Sequence, residues 1–336
     1  MAKILITGGA GFIGSQLGLL LVKEGDDVQL LDNMSDGYID NILLDGAPFT
    51  KIKIKDVRDP ELRDEIQGVE TIFHFAGTSS LPKCQANPAQ AYDNNVNGLI
   101  NVLEWGRKCK VKRVIFSSTS ATYENNTKVP FHESDVVSPN LVYSASKLAG
   151  EDICKAYAAT YNMDIIIARF FNVYGEHQDI HRTMPPFISY LAKESFLDRQ
   201  PVIYNQSDAV RDYIYVEDVV RALRLMKNSS EKFKGDIFNL CTGMGYSVKN
   251  IISMYAQVAK KTIAPIYADP VTYWDKFPGL FEGLPLDRDR ILKEVYKNSI
   301  GSPTKVKNVF DFEAKINFAD GLNRVHDYSI ENLKNS

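Results

Sequence analysis

Four glycines within seven residues, Gly8, Gly9, Gly11 and Gly14, separate the β-branched run KILIT from the apolar run GSQLGLLLVKEG. A junction this rich in glycine serves a strand that must turn sharply into a helix. Gly9, Gly11 and Gly14 fit G-x-G-x-x-G, and Gly8, Gly11 and Gly14 fit G-x-x-G-x-x-G. Either spacing lets backbone N–H groups and a helix N-terminus approach a pyrophosphate. A glycine-rich turn without a ligand is the alternative, and the placement between strand and helix favours the dinucleotide. Gly8, Gly11, Phe12, Ile13 and Gly14 are therefore candidate cofactor contacts. The next strand, DVQLLD, ends at Asp32. A carboxylate there can accept hydrogen bonds from the adenosine ribose hydroxyls and repels a 2′-phosphate. Asn33, Met34, Ser35 and Asp36 follow without an arginine, so NAD is expected rather than NADP. An Asp that only caps a turn is the competing reading.

Beyond this first unit, strand-like and helix-like stretches keep alternating: TKIKIKD, VETIFHFAG, a helix from about Tyr92 to Lys110, VKRVIFSST, a long helix from near Tyr143, and MDIIIARFFNVYG. Such alternation predicts an α/β fold, a Rossmann-type doubly wound parallel sheet. After Gly175 the rhythm breaks, which predicts a smaller mixed α/β substrate-binding domain over the carboxyl edge of the sheet. The expected division is an NAD-binding unit over 1–178, rejoined by about 210–243, and a second unit over 179–209 and 244–336. TYWDKFPGLFEGLPLD has no regular period and is expected to be a long ordered loop. With 336 residues and 44% hydrophobic content the chain can bury a sizeable core.

Tyr143 and Lys147 stand four apart at the start of the long helix, which puts both on one face. A tyrosine near its ordinary pKa of about 10 is a poor base at pH 7, and a nearby ammonium favours the phenolate. A half-exposed helix face is the bland reading of the same pair. The strand before it ends in a hydroxyl cluster, Ser117, Ser118, Thr119 and Ser120, at the edge where doubly wound sheets bind ligands.

TGGAGFIG, LDN at Asp32-Asn33, HFAG at His74–Gly77, NNVNG at Asn94–Gly98, FSST, YSASK, RFFNVYG at Arg169–Gly175 and RDYIYVEDVV at Arg211–Val220 follow one another in register. Together they resemble the extended short-chain dehydrogenase/reductase family, the nucleotide-sugar epimerases and dehydratases. The resemblance implies NAD as cofactor and a nucleotide sugar as substrate. It makes Thr119, Tyr143 and Lys147 the catalytic trio, and Asp56 and Val57 the adenine contacts. Asn33, Phe75, Ala76, Gly77, Asn95, Ser117 and Ser118 join the cofactor set, with Phe170 beside the nicotinamide. Ser79, Asn172 and Arg211 would meet the substrate, Arg211 at the pyrophosphate, with Val202 and Tyr204 along the base. It also implies a homodimer through the helix carrying YSASK, where Ile153, Ala156, Tyr157 and Thr160 lie.

The expected activity is 4-epimerisation through a 4-keto intermediate. The alternatives are a 4,6-dehydratase, decarboxylase or C4 dehydrogenase of the same family, or a non-catalytic dinucleotide-binding relative. Three positions depart from the family pattern. Ala121 stands where 4,6-dehydratases resemble one another in a glutamate, Glu124 replaces a usual glycine, and Cys241 replaces a small residue. Glu124 and Cys241 are expected to lie away from the chemistry, and Arg288 and Arg290 are candidates for a second pyrophosphate arginine. Glu176, His177, Asp179 and His181 cluster in one loop but lack a metal-ligand motif, so no metal is expected. The net charge of −3, from 39 basic and 42 acidic residues, marks no nucleic-acid or membrane surface. With glycines interrupting the first apolar run and four cysteines without disulfide or zinc spacing, a cytoplasmic protein is expected.

Overall fold

The aliphatic runs bounded by polar turns become the strands of one sheet in the computed structural model, which describes residues 2–335. The strands are β1 (Lys3–Thr7), β2 (Asp27–Asp32), β3 (Lys51–Ile54), β4 (Thr71–His74), β5 (Arg113–Thr119), β6 (Ile165–Phe170) and β7 (Lys234–Leu240). All neighbours are parallel, in the order β7-β6-β5-β4-β1-β2-β3. Every residue of β5 is buried, as a parallel strand covered on both faces requires. Alternation along β1 sends Ile4 and Ile6 into one core and Leu5 into the other. Helix α1 (Phe12–Lys23) and the helix Val216–Asn228 cover the first face. Helix α2 (Val142–Tyr161) and the helix Gly98–Lys108 cover the second.

The strand order reverses direction between β1 and β4, so the loops leaving their carboxyl ends diverge and open a crevice. Over that edge lie a three-stranded sheet of Asn172–Tyr174, Val210–Tyr215 and Gly245–Ser247, and a parallel pair, Val202–Ile203 with Ile266–Tyr267. This is the smaller second layer expected from the broken rhythm.

Three local expectations are refined. The helix expected from Tyr92 to Lys110 is interrupted by a π-helical turn, Asp93–Asn97, that re-aims Asn95. In PVIYN only Val202–Ile203 is strand. The segment expected as a loop holds two 3₁₀ turns, Pro270–Trp274 and Pro278–Phe281, each with proline in its first turn. Trp274 and Leu280 anchor it, buried with Leu141 before α2 and with Ile291 and Val295 of α3 (Arg288–Tyr296). No helix among the described residues is long and apolar enough to cross a membrane.

Candidate active site

The crevice is shaped by the absence of side chains. Gly8 has φ +69°, and a Cβ on it would lie 2.8 Å from Ala76 N, so the backbones leaving β1 and β4 touch there. A Cβ on Gly14 would run into the Gly8 carbonyl oxygen. Gly11 is the N-cap of α1 and offers it no side-chain partner, so the first-turn N–H groups of Phe12, Ile13 and Gly14 face the crevice with a helix dipole behind them. At the end of β2, Asp32 accepts hydrogen bonds from Ala10 N at 3.0 Å and Met34 N at 2.8 Å. Burial raises its carboxyl, against those two bonds. Asn33 donates to Asp56 at 2.8 Å, and the Arg58 guanidinium holds Asp56 well below the usual carboxylate range. Val57 is buried under Gly98 and presents only its backbone. After β4, Phe75 faces Phe170 with ring centroids 6.1 Å apart. A Cβ on Gly77 would lie 2.8 Å from Asn95 Oδ1. Asn95 is wholly committed, accepting from Thr78 N at 2.7 Å and donating to Thr78 O and Ser146 Oγ. It braces the Gly77 loop against α2.

The hydroxyl cluster and the Tyr143/Lys147 pair meet where β5 ends against the first turns of α2. The Thr119 hydroxyl lies near enough to the Tyr143 phenol to favour the phenolate. Burial pushes that phenol up to about 12, and Thr119 opposes the rise. One turn on, Lys147 is buried, its Nζ donating to Ser117 O at 2.9 Å and lying 5.0 Å from the Phe116 ring. Burial lowers it to about 8, which leaves most of the ammonium charged at pH 7. The hydroxyls of Ser117 and Ser118 point into the core, the first donating to His74 O at 3.0 Å and the second to Glu151 Oε1 at 2.5 Å. Of the four hydroxyls, Thr119 is therefore the one directed at Tyr143.

A model of the NAD-dependent epimerase/dehydratase family matches residues 4–241. The chain belongs to this family. Among relatives, the putative UDP-glucose 4-epimerase of Methanocaldococcus jannaschii is 34% identical over 75% of this chain and 80% of its own. The UDP-glucose 4-epimerase of Corynebacterium glutamicum is 32% identical over 80% of this chain and 86% of its own. The solved UDP-glucose 4-epimerase of Thermotoga maritima, with UDP-glucose, superposes with a TM-score of 0.86 at 29% identity, covering 98% of this chain and 99% of that one. In this epimerase/dehydratase the fold is Rossmann-type and the cofactor is NAD. Its glycine turn, uncapped α1 and switch-point crevice are the features that fit the cofactor's pyrophosphate.

The remaining positions lie further along the crevice of the epimerase/dehydratase. Ser79 is exposed on the loop after β4. Asn172 donates to Asp212 O at 2.8 Å, and Tyr204 packs on Tyr273 with centroids 5.0 Å apart. Val202 N donates to Tyr190 Oη at 2.7 Å. Arg182 acts electrostatically on both Tyr143 and Tyr273, and Arg211 also reaches Tyr273. These links join the tyrosine to a cationic cluster: Arg211 3.9 Å from Glu294, Lys297 2.8 Å from Glu294, and Arg290 4.0 Å from it. Arg288 instead turns outward to Asp275 at 3.0 Å, so Arg290 is the arginine of the pair that faces inward. Glu294 and Lys297 carried no sequence motif. Arg290 and Glu294 at i and i+4 on α3, with Lys297 at its C-cap, are the spacing that marks one face.

Glu124, expected away from the chemistry, is bound to the start of α2. Cys241 is buried in an apolar cluster with Tyr123, Phe131 and Phe171. The loop with Glu176, His177, Asp179 and His181 is spent on other bonds: Glu176 accepts from Tyr215, His177 meets Ser15 at 3.2 Å, and Asp179 accepts from the His181 and Arg182 amides. Among the described residues no group of three or more His, Cys, Asp or Glu side chains is placed to hold a metal.

Proposed function

We propose that this chain is a nucleotide-sugar 4-epimerase that works through a transient 4-keto sugar. The placement of the Tyr143 phenol beside Thr119 at the end of β5, with the Lys147 ammonium buried one turn on and donating to Ser117 O at 2.9 Å, carries the reading. Held by the glycine turn and Asp32, NAD⁺ would supply the hydride acceptor for sugar C4 and the donor for its return. Tyr143 Oη removes the C4 hydroxyl proton and later gives it back. Thr119 orients the phenol, and the cations nearest it, Arg182 and the Lys147 ammonium one turn on, work against the burial penalty on the phenolate. Arg211 and Arg290 hold the diphosphate, Val202 and Tyr204 line the base, and Ser79 and Asn172 face the sugar. With the diphosphate pinned, the ketone turns and presents its other face. Asp32 and Asn33 hold the ribose, Asp56 and Val57 the adenine end, Phe75, Ala76 and Gly77 give further cofactor contacts on a loop that Asn95 braces, and Phe170 flanks the nicotinamide, while Ser117 and Ser118, whose hydroxyls turn into the core, support the site from behind. The cofactor unit is 1–178 with 210–243, and the sugar-nucleotide unit is 179–209 with 244–336.

The chemistry stops at epimerisation because position 121 carries no base and the carboxylates nearest it in sequence are already engaged. Position 121 is alanine, Glu124 is bound to the start of α2, and Glu133 accepts from Asn239 N at 2.8 Å. Incubation with UDP-, GDP-, CDP- and dTDP-sugars in deuterated water is expected to yield a C4 epimer without deuterium at C5. A 4-keto-6-deoxy product carrying deuterium there would move the chain to the dehydratases.

The cofactor preference follows from the end of β2. Asp32 repels a 2′-phosphate, and the nearby Arg58 is taken up by Asp56 at 2.8 Å and Asp93 at 2.7 Å. Calorimetric titration is expected to give tighter binding of NAD than NADP, and the reverse order would reject the assignment.

A cytoplasmic homodimer completes the reading. Ala156 and Thr160 are exposed on α2, with Ile153 and Tyr157 half-buried beside them, and Tyr161 and Ile100 on the same side are 49% and 37% exposed. Two copies of this face would pack as a four-helix interface. Light scattering is expected to return twice 37.8 kDa, and a monomer mass would refute the pairing.

A further inference from the structure

Helix α2 delivers Tyr143 from its first turn, yet its N-cap residue, Leu141, has no side chain able to cap it. The cap arrives from Glu124. Its Oε1 accepts from the Asn140 amide and, at 2.8 Å, from the Leu141 amide, while Oε2 accepts from the Ser144 hydroxyl at 2.6 Å. A carboxylate at this place also faces the positive end of the helix dipole. The same Oε2 lies 3.0 Å from Arg290 Nη2. Arg290 Nε, Nη1 and Nη2 are buried and make no hydrogen bond among the described residues. A guanidinium with its donors unspent thus stands between the carboxylate that holds the tyrosine's helix and the cationic cluster of Arg211 and Lys297.

We propose that Glu124 is a positioning residue for Tyr143, and that its ion pair with Arg290 ties the start of α2 to occupancy of the diphosphate site. This rests on the reading of Arg290 as a diphosphate ligand given above. With the site empty, Glu124 Oε2 is shared between Ser144 and Arg290. A diphosphate that accepts the free N–H groups of Arg290 draws the guanidinium away. The carboxylate is then left to Asn140, Leu141 and Ser144, and those bonds tighten. Glu124 also repels the diphosphate, so it weakens binding while it places the phenol. Two opposite effects on one residue follow.

The test uses the full chain as Glu124→Gln, Glu124→Ala and Arg290→Gln, with UDP as the binding probe. Loss of one charge near a partly exposed diphosphate is expected to tighten UDP binding about 3- to 10-fold in Glu124→Gln. Turnover of sugar nucleotide by the same variant is expected to fall at least about 10-fold, because a misplaced phenol loses its alignment. Amide hydrogen exchange over 140–145 is expected to slow when UDP binds the unaltered chain, and to stop responding in Glu124→Gln and Arg290→Gln. A merely structural role would lower affinity and turnover together and would leave no UDP-dependent exchange to lose. If Glu124→Ala does not fold, the near-isosteric Gln variant carries the test. Unchanged turnover, weaker UDP binding or a persisting exchange response in Glu124→Gln overturns the proposal. A chain that converts no sugar nucleotide but keeps the UDP-dependent exchange response would reject the epimerase reading and leave this one standing.

Discussion

Tyr143→Phe is expected to lower turnover by about 10²–10⁴-fold, the range that general acid–base groups contribute, while NAD still binds. The substitution removes one oxygen from a side chain whose ring stays packed at the start of α2. Thr119 keeps its bond to the main chain, accepting from Ala121 N at 3.1 Å, so the end of β5 is not released. The glycine turn, Asp32 and Asp56 lie on other elements and are untouched. Steady-state rates with the preferred sugar nucleotide, paired with a calorimetric NAD titration, separate the two effects. A variant with near-normal turnover would show that another group moves the C4 proton.

Glu151→Ala is expected to destabilise the fold by about 3–5 kcal/mol, the penalty for breaking a buried ion pair from one side. Glu151 is on α2 one turn after Lys147, and Arg169 is on β6. Their side chains are 0% and 2% exposed and meet in two bonds of 2.8 Å and 2.6 Å. Ser118 adds a third bond to the same carboxylate, and the Arg169 guanidinium lies 4.6 Å from the Tyr123 ring. Alanine would leave that guanidinium buried, with its charge unpaired and nothing to replace the carboxylate. Chemical denaturation measures the loss. Replacing both partners by methionine is expected to cost less than Glu151→Ala alone, because no orphaned charge remains. A single substitution costing under 1 kcal/mol would mean that solvent reaches the site.

What could be read from the sequence was what the chain makes locally. The glycine turn, Asp32 at a strand end, and Tyr143 with Lys147 on one helix face each depend on residues a few positions apart, so spacing alone located them. The hydroxyl cluster shows the limit. Four adjacent side chains looked equivalent, and only the packed strand separates Ser117 and Ser118, which face the core, from Thr119, which faces the tyrosine. Asn95 was placed in the right neighbourhood by its motif, but the π-helical turn that points it at Thr78 and Ser146 has no sequence period to betray it. Glu124 was set aside because it broke a pattern near the chemistry without belonging to it. Its role depends on Asn140, Leu141, Ser144 and Arg290, and the last of these is more than 160 residues away in the chain. The cationic cluster around Glu294 was hidden for the same reason, since Arg211 and Glu294 meet only after the second layer folds over the sheet.

The strand order has a consequence for synthesis. β6 pairs with β7 on one side, but residues 171–233 must be made between them. At about 5–20 residues per second, the nascent chain carries β6 as an open edge for roughly 3–13 s, with Ile165, Ile166 and Ile167 on an unpaired ribbon. An edge of that kind invites pairing with another chain. The helix Val216–Asn228, which follows the second-layer strand and precedes β7, emerges first and packs beside α1. Its arrival shields the first face before the last strand is added, so truncations that end between 175 and 234 are expected to aggregate on the ribosome, whereas those that end beyond 240 have β6 paired on both sides.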